Sequence, residues 1–365
     1  MHQDAHTVID WLGLSSIPGV GRSTFRKLVA RFGSPGGALA ASLDELRQVD
    51  GLPEKVAQEI VARTWRAWAE DELARVRSAG VAIITADDDA FPERLRAAQD
   101  APLFLYMKGR LLPGDGDAVA IVGTRTPTHY GLTVTHRMAY ELAAAGMTVV
   151  SGLARGIDTQ AHKGALAARG RTIAVLGCGV DIAYPPENRE LMDRIAENGA
   201  VVSENPLGTK PESGYFPARN RIISGLAQGT VIVEAAEDSG SLITADYAVK
   251  QGRKLFAVPG NAGTPTSRGT NSLIKQGAVL VESAADVLQQ LGRAPRTGAG
   301  RPLPLPSLAG EESLVFGVLS SEPKHIDLVL REYGGPPGRL SGTLMALELK
   351  GLVRQLPGKF FVRAR

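Results

Sequence analysis

Cysteine is almost missing from this 365-residue chain: Cys178 stands alone. No intrachain disulfide can form, and a reducing compartment is expected. No apolar run approaches the roughly 20 residues that span a bilayer, so no membrane association is expected. The opening MHQDAHTVIDW lacks a basic stretch followed by an apolar one, so no secretory signal is read there and a cytoplasmic location is expected. An excess of one charge is lacking too, since 41 Lys and Arg against 38 Asp and Glu leave only +3. Bulk charge therefore neither demands nor forbids a polyanionic partner, and any basic site must come from placement.

Several chemical signatures are absent as well. His129, His136 and His162 fall at none of the spacings that hold a metal ion, so no metal is expected. There is no G-x-x-x-x-G-K-[ST] stretch for an ATPase, and Ser151 lacks the G-x-S-x-G elbow of a nucleophilic serine. GCGVD carries two of the three glycines of a dinucleotide fingerprint, but on the third strand of its run instead of the first. No cofactor is expected. His162, in GIDTQAHKGAL, reads as a hydrogen-bond partner of the preceding loop, and Cys178 as a small residue in a tight turn.

What is present divides into segments. Residues 1–80 read as a small all-helical domain. IPGVGRSTFRKLVARFG sets a Gly turn before apolar residues at Phe25, Leu28, Val29 and Phe32, a 3.6-residue stripe. VDGLPEKVAQEIVARTW is a weaker second copy, and together they form a SAM-like helix-hairpin-helix pair. Such a turn can offer amides to a DNA phosphate, or can serve simply as a turn in a helical bundle. Residues 81–291 alternate helical stretches with eight short apolar runs: VAIIT, AVAIVG, MTVVSG, TIAVLG, AVVSE, TVIVEA, KLFAVPG and AVLVE. Nearly continuous β-branched runs between amphipathic helices predict an extended Rossmann-like, doubly wound parallel α/β sheet covered on both faces. Residues 292–310, GRAPRTGAGRPLPLPSLAG, read as a Pro/Gly linker. Residues 311–365 predict three helices and a hairpin around Pro357-Gly358, a winged-helix domain whose third helix lies near GRLSGTLMALELKGL. Its eight Lys and Arg against six Asp and Glu fit DNA contact and protein docking equally.

A doubly wound sheet binds ligands outside the carboxyl ends of its strands. At those ends the sequence places Gly123-Thr124-Arg125, then Ser151-Gly152 followed by Arg155-Gly156, then GCGVDIAYPPEN, then Ser203-Glu204-Asn205, and then Glu234 with Ser239-Gly240-Ser241. Glycines allow close approach, helix N-termini present free amides, and arginine offers a planar fork, so the edge suits phosphates, and several of them suit a polyanion. Within FPARNRII, Arg219 falls on the stripe of Ile222, Ile223 and Leu226, while Arg221 points about 200° away around the helix. The expectation is a split role: Arg219 buried against Glu204 or Glu234, with Arg221 or Asn220 facing the ligand.

These motifs, AIVGTRTPTHYG, VSGLARGIDTQAH, TIAVLGCGVDIAYPPEN, SENPLG, FPARNRIISGLA and SGSLITADYAVKQGRKLFAVPG, closely resemble the DNA-processing protein A family, DprA or Smf, in one order through most of residues 81–285. The resemblance implies non-catalytic binding of single-stranded DNA, protection of incoming strands, and loading of the RecA recombinase in natural transformation, by a homodimer that also meets single-strand-binding protein. It implies a DNA pocket built from Gly123, Thr124 and Arg125, from the loop Ser151 to Asp158 with Ser151, Gly152, Arg155 and Gly156, from Arg219, Asn220 and Arg221, and from Ser239, Gly240 and Ser241. One position departs: Pro186 stands where many members carry a basic residue, so the expectation is either that Arg189 or Lys163 substitutes or that affinity is lower. The rival readings are a nucleotide phosphoribohydrolase of the lonely-guy type and a winged-helix DNA-binding regulator. Against the first, SGSLITAD has no Glu shortly after its Gly-rich turn.

Overall fold

The computed structural model describes residues 5–293, 308, 310–320 and 322–363. Most of the linker expected at 292–310 falls outside those residues. The first segment is six helices: α1 (Ala5–Ser16), α2 (Arg22–Phe32), α3 (Pro35–Ala40), α4 (Leu43–Arg47), α5 (Glu54–Ala62) and α6 (Trp65–Ser78). The stripe read from the sequence is the buried one, with Phe25 and Leu28 in the core from α2 and Val56, Ala57 and Ile60 from α5. Gly19, at φ 91°, makes the turn between α1 and α2.

The central segment is a mostly parallel Rossmann-like sheet. Its elements run β1 (Ala82–Thr85), α7 (Glu93–Arg96), β2 (Phe104–Gly109), β3 (Ala118–Gly123), α8 (His129–Ala144), β4 (Thr148–Ser151), α9 (Ile157–Ala167), β5 (Thr172–Leu176), α10 (Arg189–Asn198) and β6 (Ala200–Ser203). They continue through α11 (Tyr215–Leu226), β7 (Gly229–Val233), α12 (Gly240–Lys250), β8 (Lys254–Ala257), α13 (Pro265–Lys275), β9 (Val279–Leu280) and α14 (Ala284–Gln290). Strand order is β1-β2-β6-β5-β4-β3-β7-β8-β9. From β3 the chain winds outward through β4, β5 and β6, and α11 then carries it back to β7 on the other side of β3. That reversal makes the strand ends around β3 a topological switch point, where a crevice opens.

Two features depart from the sequence reading. FLYMKG, β2, was not among the eight apolar runs, and β2 pairs antiparallel with both β1 and β6. The connection from β1 to β2 holds only the four-residue helix α7, too little for the crossover that a parallel neighbour needs. Helices α8, α9 and α14 cover one face of the central strands, burying Val134, Met138, Leu142 and Ala161 against Val119 and Ile121. On the other face α11 and α12 bury Ile222, Ile223, Leu226 and Ala245 against Ala120 and Val122. The helical domain shares one core with the β2–β6–β5 flank, where Phe104, Tyr106, Leu176 and Val201 meet Trp11, Trp65 and Leu73.

The last segment holds α15 (Glu311–Val318), β10 (Lys324–His325), α16 (Ile326–Tyr333), α17 (Pro337–Leu349), β11 (Val353–Leu356) and β12 (Phe360–Arg363). The hairpin is joined by β10, so its sheet has three strands in the order β10-β12-β11. This is a winged helix around Val315, Val329, Leu340, Leu344 and Phe361.

Gly123 closes β3 opposite Val233 of β7, and a Cβ there would stand 1.8 Å from the Val233 carbonyl and 2.7 Å from Ile157. Its missing side chain thus permits sheet pairing before it permits any ligand. Gly123→Ala is expected to lower the unfolding free energy in urea by about 1–3 kcal/mol through overpacking; unchanged stability would show that the two strands can separate freely there.

Candidate functional site

A cleft of 590 Å³ opens at the switch point, lined by Gly123, Arg125, Ala154, Asp158, Tyr184, Phe216, Arg219, Asn220, Ser239, Gly240, Ser241 and Thr244 among others. Its floor depends on Arg219, which is only 6% exposed yet lines the cleft. The guanidinium Nη1 donates to the carbonyl of Gly152 at 2.7 Å and to that of Val175, so α11 is bolted to the ends of β4 and β5. Nε donates to the side-chain oxygen of Asn220 at 3.3 Å, and the Asn220 amide donates to the Gly240 carbonyl at 3.3 Å, which extends the chain to the mouth of α12. Burial lowers the Arg219 pKa to about 10, partly offset by the charge of Asp158. Arg219 therefore remains a cation at neutral pH.

Asp158 sits in the first turn of α9, where one carboxylate oxygen accepts from the amides of Gly152 (3.1 Å) and Ala154 (3.3 Å). Burial raises its pKa, while Arg219 and those amides pull it back down. The acid thus ties the SGLARG loop to its helix and balances Arg219. Arg125 is the opposite case. It is exposed, makes no hydrogen bond or ion pair among the described residues, and holds its guanidinium 5.4 Å from the centre of the Phe216 ring. Phe216 in turn packs on Tyr184 with ring centres 5.5 Å apart, giving the cleft an aromatic wall. Opposite stands the N-terminus of α12, whose cap Ser239 accepts from the amide of Ser241. One cation with a free fork, one fixed cation, an amide-bearing helix end and aromatic faces are suited to hold a phosphodiester and a base.

The split role foreseen for the two arginines exists with its members exchanged. Arg221, 2% exposed, donates through Nη2 to both oxygens of Glu204 at 2.7 and 2.6 Å and does not line the cleft. Arg219, expected to take Glu204 or Glu234, takes backbone carbonyls instead and lines it. The angle between them follows from helix geometry, but which of the two faces the switch point depends on how α11 rolls on the sheet. Glu234 faces neither arginine. Held at φ 51°, it turns its carboxylate onto the start of α8, accepting from the Thr128 amide at 2.8 Å and from the Thr128 hydroxyl. The chain's own carboxylate thereby fills the helix N-terminus that follows β3.

The other foreseen residues separate by location. Gly123, Arg125, Asn220, Ser239, Gly240 and Ser241 line the cleft, and Gly152 lines the narrow recess that continues it beside Arg155 and Tyr184. Ser151 is fully buried and donates to the Ile121 carbonyl at 2.6 Å, so it braces strands and does not line the cleft. Thr124 and Gly156 hold the loop: the Thr124 amide donates to the Glu234 carbonyl at 2.8 Å, and a Cβ on Gly156, at φ 78°, would stand 2.5 Å from the Thr124 carbonyl. Arg155 pairs with Glu187, beside Pro186. Lys163 and Arg189 are exposed on α9 and at the start of α10, and neither lines the cleft, so the structure gives neither the place of the missing basic residue. Asp158, the last residue of the loop foreseen for the site, lines the cleft, and Tyr184, Phe216 and Thr244 join it without having been named for it. Both rings fall within segments already singled out, Tyr184 in GCGVDIAYPPEN and Phe216 in FPARNRII.

His162 is fully buried. Because the Thr172 hydroxyl donates to the Val149 carbonyl at 2.7 Å, Nδ1–H of His162 donates to that hydroxyl at 2.7 Å and Nε2 is left unprotonated and without a partner. Burial, helped by Arg219, pushes its pKa down to about 3.

The family described as DNA recombination-mediator protein A matches residues 82–292, a DprA winged helix domain matches 299–359, and a SAM-like helix-hairpin-helix tandem matches 12–64. Protein Smf of Synechocystis is 34% identical over 97% of this chain and 98% of its own, and Protein Smf of Escherichia coli 38% identical over 87% and 86%. The X-ray structure of DNA processing protein A from Streptococcus pneumoniae is 33% identical and covers 80% of this chain and 99% of its own, with a TM-score of 0.67. DNA processing protein A from Helicobacter pylori, whose structure is described by its single-stranded DNA binding mode, is 33% identical over 58% of this chain and 95% of its own, with a TM-score of 0.52.

The neutral state of His162 contributes stability that is complete above the ordinary imidazole pKa of ~6.5 and is lost as the pH falls from there toward 3. Urea unfolding across that window should lose up to about 1.4 kcal/mol per pH unit to this group. In His162→Gln the slope should flatten by that share; an unaltered slope would place the acid sensitivity elsewhere.

Proposed function

This chain belongs to the DNA recombination-mediator protein A family, and on that premise we propose that it is a non-catalytic single-stranded DNA-binding protein that grips the strand in the switch-point cleft. The observation that carries the reading is Arg125: an exposed guanidinium with no partner among the described residues, standing over Phe216 at the mouth of a cleft whose floor is a second cation. Phosphates take Arg125 and the α12 amides, while bases lie against Phe216 and Tyr184. The Helicobacter pylori relative described by its single-stranded DNA binding mode supports the same assignment.

The carboxylate that lines the cleft, Asp158, is 6% exposed and already accepts two amides, which weighs against its activating a water on a nucleotide sugar. The finer parts of the proposal come from the family: a cytoplasmic homodimer that protects incoming strands and loads the RecA recombinase during natural transformation, alongside single-strand-binding protein. Protein docking by the winged helix fits the pairing of Lys324 with Glu332 and of Lys350 with Glu312, which neutralises two of its cations.

Affinity for a single-stranded oligonucleotide should fall steeply with salt, as counterions compete for each phosphate contact. Arg125→Ala should weaken binding by about 10- to 100-fold, the loss of a charge-assisted contact, while thermal unfolding stays unchanged because the side chain touches solvent and one ring. Fluorescence anisotropy at fixed salt reads both effects; equal affinity in the variant would remove Arg125 from the site, and preference for duplex over single strands would favour a regulator.

A further inference from the structure

A second cleft, of 690 Å³, lies on the same carboxyl edge of the sheet, between the helical domain and the β2–β6 flank. Its walls differ in kind from those of the first. Trp68, 38% exposed, stands open on α6 beside Trp65, and Phe104 of β2 lines the far side. The turn Ile17–Gly21 and Arg22 form the rim. Gly21 caps α2 without any side-chain acceptor, so the first amides of that helix face the rim unclaimed by a cap. Two carboxylates, Glu59 and Glu204, also line it, but Glu204 is neutralised by the buried Arg221. Close to neutral in charge and rich in aromatic surface, this cleft is built for an uncharged flat group more than for a phosphate.

Its position supplies the identity of that group. The segment between β6 and α11 borders both clefts: Glu204 and Pro206 line the second, and Pro211 and Ser213 the first. The two clefts are therefore neighbours along one edge, joined by ten residues of chain from Glu204 to Ser213. The walls are fixed relative to each other, since Glu72 of α6 accepts from the Leu207 amide at 2.8 Å, Arg75 donates to the Leu207 carbonyl at 3.0 Å, and Arg26 donates to the Ala101 carbonyl at 2.8 Å.

We propose that the cleft between the helical domain and the sheet is a second base-binding subsite, in which Trp68 stacks an unpaired base of the same strand that the first cleft holds. The inference rests on the single-strand reading of the first cleft and extends the bound track across the helical domain. Stacking is indifferent to base identity because every base has a π-face.

The test is a length series of oligothymidylates titrated by fluorescence anisotropy into the full chain and its variants. The shortest strands that bind should need Arg125 and ignore Trp68. Longer strands that span both clefts should lose about fivefold or more in affinity in Trp68→Ala, the effect expected of one stacked base. Trp68→Phe should restore most of that loss, and Trp68 fluorescence should be quenched only by the longer strands. A loss equal at all lengths, or no loss at any length, overturns the subsite. If the unaltered chain binds no oligothymidylate, the reading of the first cleft fails with it, whereas Arg125-dependent binding that ignores Trp68 at every length sinks the subsite alone.

Discussion

A single buried guanidinium organises this edge of the protein. Arg219 crosses from α11 to the carbonyls of Gly152 and Val175, and so joins the ends of two neighbouring strands to the helix that returns the chain across the sheet. Gly152 follows the last residue of β4, and Val175 follows the last β4–β5 pair, Ser151 with Ala174, where diverging strands leave acceptors in need of donors. A lysine could not satisfy them with the same planar reach. Asp158 supplies the opposing charge and, through two amides, sets the loop that follows β4. A buried cation, its acid and its carbonyls make a rigid floor, and the exposed Arg125 then needs only to stand free above it.

The rest of the edge consists of helix ends, some closed by the protein itself. Glu234 occupies the start of α8 with its own carboxylate, at a backbone φ of 51° that few non-glycine residues adopt. The phosphate position after the first strand of a doubly wound unit is thereby taken internally. The start of α12 remains at the cleft, beside Asn220 and Arg125. Filling one terminus and leaving another moves the free helix end from the place a mononucleotide would use to the cleft, in accord with the proposed strand lying across the edge.

Much of this was legible before any coordinates. Near-continuous β-branched runs give the sheet, and the α2 stripe gives the helical core, because burial on two faces or on one stripe leaves a period in the chain. The cleft residues Gly123, Arg125, Asn220 and Ser239–Ser241 could be named because strand ends in a doubly wound fold converge on one rim. β2 escaped because FLYMKG follows Ala-Pro-Leu with no amphipathic helix before it, and a strand added antiparallel needs none. Tyr184 and Phe216 could be placed near the edge, but nothing local says that they stack on each other.

The sequence by itself determined the three segments, the winding of the central sheet and the edge on which chemistry would gather, because periodicity and strand order are properties of the chain. Tertiary structure decided which arginine of FPARNRII faces the cleft, that Ser151 braces strands while Lys163 and Arg189 stand apart, and that Glu234 turns back onto α8. Each of those outcomes depends on the roll of a helix or the packing of one element on another that is distant in the sequence, and a few tens of degrees of rotation exchange a buried side chain for a ligand-facing one.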